Sequence, residues 1–366
     1  MFRREIWRHF DYWLFGAVVF LCIFGVAMIR SAIAGNTVLA GSVTRQMIYV
    51  GLGLMVILVT AMIDYRLWSS LARPMYIFAV LSLVTIYIFG QALYGSARWL
   101  DTGLILIQPS ELAKVIMILV LAAYFAATVD QEHNLRWVAL SLAITGGVVV
   151  WIILQPNLST SIVLMVLWFA MLFISGLPLR FLPMFAVGGV LLGLAAFPFL
   201  EEYQQARVLT FLFPDPNARH GATYNVEQAL VTIGSGGLFG MGYGHGTQVQ
   251  LRFLKVRHTD FIFAAMSEEF GFVGTVLIVG LLVFVILRCF RAARLAADPF
   301  GAFVAYGFGI LLFFQTIVNI GVNLNILPVT GLTLPFISYG GSSLLSLVLG
   351  IGLVESVIAH HKPLDF

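Results

Sequence analysis

Charge is what this chain has least of. Asp, Glu, Lys and Arg make up 10% of its 366 residues while 60% are hydrophobic, against about 25% charged in an ordinary soluble domain. No stretch is polar enough to form a large aqueous domain, so the chain reads as an integral membrane protein. Cysteine is almost absent: Cys22 and Cys289 both lie in apolar runs, which excludes a disulfide framework and a cysteine metal site. The 20 Lys and Arg residues, for a net charge of +3, fall singly or in short groups. Without a basic stripe, nucleic acid is not an expected partner.

What the chain has instead is long apolar runs. A helix needs about 20 apolar residues to cross roughly 30 Å of hydrocarbon. Ten stretches qualify: 12–29, 47–63, 75–94, 112–129, 137–154, 158–174, 181–200, 271–287, 301–322 and 341–358. The expected fold class is all-α, a polytopic membrane protein of ten transmembrane helices in a single domain covering 1–366. Arg3, Arg4 and Arg8 ahead of the first run, with Ala32-Ile-Ala34 after it, imitate a cleaved signal. The run exceeds a signal core in length and Arg30 interrupts the small residues, so it is read as a span. With the N-terminus inside, Arg3, Arg4, Arg8, Arg66, Arg73, Arg136, Arg180, Arg288, Arg291, Arg294 and Lys362 gather on the inner side. Only Arg30, Arg45 and Arg98 fall in short outer loops, and this bias places both termini in the cytoplasm.

One connection, 201–270 between the seventh and eighth spans, is far longer than the others, and loops of this length are usually functional or disordered. Tyr203, Phe211, Phe213, Tyr224, Phe239, Tyr243 and Phe253 give it apolar anchors. It is expected to be a folded extracytoplasmic lid with short amphipathic helices on the membrane surface.

Ionisable groups at the membrane edge are costly and are therefore functional candidates. Gln108-Pro-Ser-Glu-Leu-Ala-Lys114 opens a helix, with Pro109 suited to its first turn and Glu111 and Lys114 on one face. Either they form an ion pair that makes the lysine tolerable, or Lys114 contacts an anionic substrate. Gln155-Pro-Asn157 reads as a turn. Gly234 to Gly246 holds seven glycines in thirteen positions; its N–H groups suit an anion nest, and conformational need explains it equally well. Arg257-His-Thr-Asp-Phe-Ile-Phe263 meets the membrane at Asp260. There a carboxylate beside Phe261 and Phe263 would be partly desolvated and raised toward a useful base, with Arg257 and His258 opposing. The alternative is that Thr259 or Asp260 caps a helix beginning at Phe261. A last glycine loop, Pro335 to Ser343, enters the tenth span with donors facing outward.

QPSELAK, GSARWLDTG, IGSGG, RHTDFIFA followed by EE, and LPVTGLTLPFISYGGSS together resemble the SEDS family (shape, elongation, division and sporulation) of bacterial cell-wall proteins, over nearly the whole chain. The details are more similar to its elongation-type than to its division-type members. The resemblance implies a peptidoglycan glycosyltransferase of the bacterial inner membrane that polymerises lipid II into glycan strands. It implies Asp260 as the catalytic aspartate, with Lys114, Glu111, Arg98, Arg207, His258, Ser338 and Ser342 as substrate contacts. A divalent cation, magnesium or manganese, is an implied assistant. A class B penicillin-binding protein, with other cell-elongation membrane proteins, is the implied partner. Two departures from the family pattern stand out. Asn157 stands where Asp is usual, and Leu254-Lys-Val256 replaces the usual Leu-Pro-Glu, leaving Asp260 the lone acid of its neighbourhood. The alternative function is a flippase or other transporter. Such folds place ionisable residues near the bilayer midplane in repeated halves, whereas here they cluster at the outer edge. A noncatalytic scaffold would leave Asp260 and Lys114 without purpose.

Overall fold

A computed structural model describes residues 4–36, 38–39, 41–89, 91–93, 96–101, 106–214 and 221–360, with side chains except at 4–6, 91–93, 96–101, 106–107 and 222. In chain order the helices are α1 (Arg4–His9), α2 (Tyr12–Ala32), α3 (Gly41–Met62), α4 (Arg66–Ser70), α5 (Ala72–Phe89), α6 (Pro109–Ala127), α7 (Leu135–Leu154) and α8 (Leu158–Ile174). Then come α9 (Leu182–Ala196), α10 (Glu202–Leu212), α11 (Ala222–Ser235), α12 (Thr247–Gln250), α13 (Ile262–Leu295), α14 (Pro299–Asn323) and α15 (Gly341–Ala359). Among the described residues nine helices are long and apolar enough to span a membrane, α9 being counted with its flanking 3-10 turns. An additional apolar helix, α8, has 17 residues, the lower end of the spanning range.

The architecture is all-helical apart from a small antiparallel sheet, β1 (Gln91–Leu93), β2 (Ser96–Asp101) and β3 (Leu106–Ile107), in that order across the sheet. The strands pair Gln91 with Trp99 and Leu100 with Ile107. The expected span 75–94 therefore ends early, at Phe89. A second boundary also differs: α13 begins at Ile262, well before Gly271, and breaks at Gly271, whose φ is 68°.

Lipid tails give helices no hydrophobic reason to associate, so close backbone approach must hold them together. Glycine supplies it. A Cβ on Gly352 of α15 would lie 2.8 Å from Thr60 Cβ of α3, and one on Gly341 would lie 2.4 Å from the Tyr49 ring. Helix α6 is among the well-enclosed ones, packed by α5, α8, α14 and α15 and buried at fourteen positions from Pro109 to Phe125. By contrast no residue of α9 is buried, in keeping with a sequence apolar all round.

Polar groups fasten one end of the bundle. Asp11 caps α2 through Leu14 N–H at 3.1 Å and pairs with Arg288 of α13, while its own N–H donates to Glu355 of α15 at 3.0 Å. Tyr65 donates to Asp298 at 2.5 Å, and Asp298 caps α14 through Gly301 N–H at 2.9 Å. These clamps lie at the opposite end of the bundle from the candidate residues, because α2 runs from Asp11 to Ala32, whose carbonyl accepts from Arg257 Nε.

Candidate functional site

The segment from Leu327 to Gly340, between α14 and α15, is irregular backbone. Such backbone survives at membrane depth only where protein encloses it and satisfies its polar groups. Leu332, Leu334, Phe336, Ile337 and Ser338 are buried, and hydrogen bonds join this loop to α8, α10, α14 and the His258 and Thr259 carbonyls. Ser338 Oγ donates to Thr259 O at 2.8 Å and accepts from Leu334 N–H at 2.9 Å, while Tyr339 N–H donates to His258 O at 2.9 Å. Arg207 of α10 reaches the Val329 and Thr330 carbonyls, each at 3.4 Å, and stacks over Tyr203 at 5.6 Å. Ser159 of α8 donates to Thr330 O. Ser342, at the head of α15, accepts from Gln108 N–H at 3.0 Å and so ties in the start of α6.

Asp260 lies at the centre of these contacts, partly buried between buried Phe261 and the loop. A Cβ built on Gly331 would stand 3.9 Å from its Oδ2. Burial pushes the Asp260 carboxyl above the usual carboxylate range, and the Arg207 guanidinium and the Thr259 hydroxyl pull it back. The expected opposition from Arg257 and His258 is thus supplied by Arg207, a residue some fifty positions earlier in the chain. Arg257 is buried and donates to the Ala32 and Leu254 carbonyls. Burial, then the Arg257 charge, lowers the His258 pKa, so at neutral pH His258 is an uncharged donor and acceptor rather than a cation.

The capping alternative for Asp260 does not hold. The helix starts at Ile262, its N-cap is Phe261, and no side chain of the preceding turn caps it. Its Ala264 N–H donates instead to Asn323 Oδ1 at 3.1 Å.

Lys114 and Glu111 form an ion pair at 2.8 Å, the lysine side chain 1% and the glutamate 10% exposed. Apart from Glu111, the ammonium has no hydrogen-bond partner among the described residues. Asn157 earns its place as a cap of α8, accepting from Thr160 N–H at 3.3 Å, and donates to Ser110 Oγ at 3.4 Å. Arg98 lies in β2, and its side chain is outside the described residues.

The glycine-rich loop is a clasp and not an open nest. Its Met241 and Gly242 N–H groups donate to the Glu268 and Glu269 carbonyls at 2.9 Å. In return Phe272 and Val273 donate to Gly237 and Leu238 carbonyls at 2.9 and 3.0 Å. The loop thus satisfies the backbone that the Gly271 break leaves unpaired. A Cβ on Gly236 or Gly240 would lie 2.1 or 2.2 Å from the Ser267 or Glu269 carbonyl oxygen, so only glycine fits. Glu268 accepts from the Gln248 and Val249 N–H groups at 2.8 and 3.1 Å, capping α12.

Sequence reasoning passed over Asn319 and Asn323, both buried on α14. Asn319 Nδ2 donates to Asp260 O at 3.1 Å and to Leu332 O at 2.8 Å; Asn323 Nδ2 donates to Asp260 O at 3.0 Å. The signal was present: two amides four apart inside an apolar span share a face and need partners.

For a metal, no group of three or more His, Cys, Asp or Glu side chains gathers among the described residues. The site offers a divalent cation one carboxylate, Asp260, since Glu111 is held by Lys114.

The profile of the FtsW, RodA and SpoVE family, described as cell cycle proteins, matches residues 12–363. The chain is 36% identical to the peptidoglycan glycosyltransferase MrdB of Escherichia coli strain K12, over 99% of this chain and 98% of that one. It is 36% identical to a probable peptidoglycan glycosyltransferase FtsW of Hydrogenovibrio crunogenus, over 95% and 91%. Among solved structures it resembles a chain from a peptidoglycan synthase complex that coordinates polymerization and crosslinking, with TM-score 0.81, 32% identity and coverage of 96% and 99%. It also resembles the rod shape determining protein RodA of Thermus thermophilus, with TM-score 0.72, 32% identity and coverage of 96% and 98%.

Proposed function

Because the chain belongs to the FtsW, RodA and SpoVE family of cell cycle proteins, the SEDS family, we propose that it is a peptidoglycan glycosyltransferase polymerising lipid II, with Asp260 as general base. One observation carries the assignment of the base. Asp260 is a carboxylate that caps nothing, is held by its backbone, and is pushed toward a higher pKa by burial. Those are the properties a base needs near neutral pH.

In the reaction Asp260 takes the proton of the acceptor sugar hydroxyl as that oxygen bonds to the anomeric carbon of the donor. The bond from that carbon to the lipid pyrophosphate breaks, and the pyrophosphate leaves with the electron pair. Lys114 and Arg207 face the developing negative charge. Their value is greatest where water is excluded, and the enclosure of Lys114 supports that role. Glu111 orients Lys114, and Ser342 and His258 supply neutral polar contacts. Ser338 spends one donor and one acceptor on bracing the loop. A divalent cation finds a poor ligand set here, so no step is routed through one.

The chain is a multi-pass membrane protein. The proposed topology has ten spans, α8 included, and both termini in the cytoplasm of the inner membrane. The long connection from α9 to α13 then lies outside, over the growing strand. A class B penicillin-binding protein is the partner that would crosslink the product. The test is purified protein incubated with lipid II, with glycan products resolved by length. Strands from wild type and none from Asp260→Asn support the reading; normal strands from the variant refute the base.

A further inference from the structure

A helix that starts after an aspartate usually has that aspartate as its cap, because side-chain oxygens of Asp, Asn and Ser satisfy the free N–H groups of the first turn. Here two buried amides from another helix do this work. Asn323, 0% exposed, accepts from Ala264 N–H at 3.1 Å through Oδ1, the bond that a cap at Phe261 would have made. Its Nδ2 donates to the Asp260 carbonyl at 3.0 Å and to the Asn319 carbonyl at 2.8 Å. Asn319, 1% exposed, donates to the same Asp260 carbonyl at 3.1 Å and to Leu332 O at 2.8 Å. Both donors of each amide are therefore engaged by carbonyl oxygens. A flipped amide would set oxygen against oxygen, so the network fixes the orientation of both side chains.

We infer that Asn319 and Asn323 are positioning residues for glycosyl transfer: they hold the backbone of Asp260 from behind and take over the capping of α13, which leaves its carboxylate free for the proton. This rests on the reading of Asp260 as the base. The pair also registers the base against the loop, since Asn319 joins Asp260 to Leu332, next to the Gly331 that lies beside the carboxylate. In this role neither amide contacts substrate; each acts through the backbone of Asp260.

The experiment compares full-length wild type with Asn319→Ala, Asn323→Ala, Asn323→Asp and Asp260→Asn in strand formation from lipid II. It reads kcat and KM per folded molecule, with thermal unfolding alongside. The two alanine variants are expected to lose about 10²-fold in kcat, the scale of a misplacement of about 1 Å, with KM unchanged. Asn323→Asp keeps the acceptor for Ala264 but sets a second oxygen against the Asp260 and Asn319 carbonyls, so turnover is expected to stay at or below that of Asn323→Ala, whatever stability the Ala264 bond restores. A structural role alone predicts turnover that follows stability across the three Asn variants. Wild-type turnover in both alanine variants, with Asp260→Asn inactive, overturns the inference while sparing the base. An active Asp260→Asn overturns the base and the inference with it. Failure of all three Asn variants to fold also overturns it, since the pair would then hold the fold and not the base.

Discussion

Removing Lys114 should do two separable things. The ammonium stands 2.8 Å from Glu111 in a nearly closed environment. At an effective dielectric of about 20 that is a gross attraction of about 6 kcal/mol, most of which offsets the cost of taking both charges out of water. Lys114→Met leaves Glu111 charged and buried without a partner, a change that costs about 3–5 kcal/mol. Changing both, Glu111→Leu with Lys114→Met, removes the stranded charge and is expected to restore or raise stability, by up to about 4 kcal/mol over an intact pair in comparable cases. Thermal unfolding in detergent for the two single variants and the double variant reads this coupling directly. Strand formation from lipid II then separates the roles, because a lysine that neutralises pyrophosphate is missing from the double variant as well. The expected result is a stable double variant without polymerase activity. A double variant both stable and fully active would refute the substrate contact and leave Lys114 as an ion-pair residue only.

Further outcomes are expected. Asp260→Asn should lose about 10²–10⁴-fold in turnover without losing stability, since the side chain caps nothing; a lowered melting temperature would contradict that geometry. The pH–rate profile should fall on its acid side above the ordinary carboxylate range, because burial raises the Asp260 pKa and the base works deprotonated. By linkage the folded state then holds more protons than the unfolded state between the unfolded and folded pKa values, so this group's contribution to stability declines as pH rises through that window. Unfolding scans across pH of wild type and Asp260→Asn, in which the decline vanishes, check the sign. Gly240→Ala puts a Cβ 2.2 Å from a carbonyl oxygen at φ 79°, which should cost at least about 1–3 kcal/mol and lower the yield of folded protein; normal yield would count against the clasp. Cys22 and Cys289 are buried, so Phe213→Cys should label from outside in intact cells with little background. Labelling only after permeabilisation would invert the topology.

The spans were legible because hydropathy is local: α8 runs from Leu158 to Ile174 as read, and α15 agrees with its expected run to within a residue. The start of α13 was not, because Ser267-Glu-Glu269 interrupts the apolar run, and what makes those residues tolerable there is distant. Glu268 accepts from α12, and Glu269 Oε1 accepts from Ser31 of α2. The sheet escaped because Gln91-Ala-Leu93 continues an apolar helix in composition and finds a strand only through β2. Asp260 could be picked out from its own neighbours. That Arg207, Asn319 and Asn323 are its partners could not be read, because each belongs to a helix distant in sequence and the pairing exists only in three dimensions.

Order of synthesis gives the pinning of Asp260 a last consequence. Chains are made and begin to fold from the N-terminus, and the clasp at 234–246 precedes the broken helix it repairs, so α13 emerges to find its partner already waiting. Asp260 has no such luck: Asn319, Asn323 and the loop beginning at Leu327 all follow it in the chain. A nascent chain cut off before the end of α14 carries every charged group of the proposed chemistry and still lacks the parts that aim them. On the proposed mechanism such a chain is expected to form no strands, and competence arrives with the last two helices.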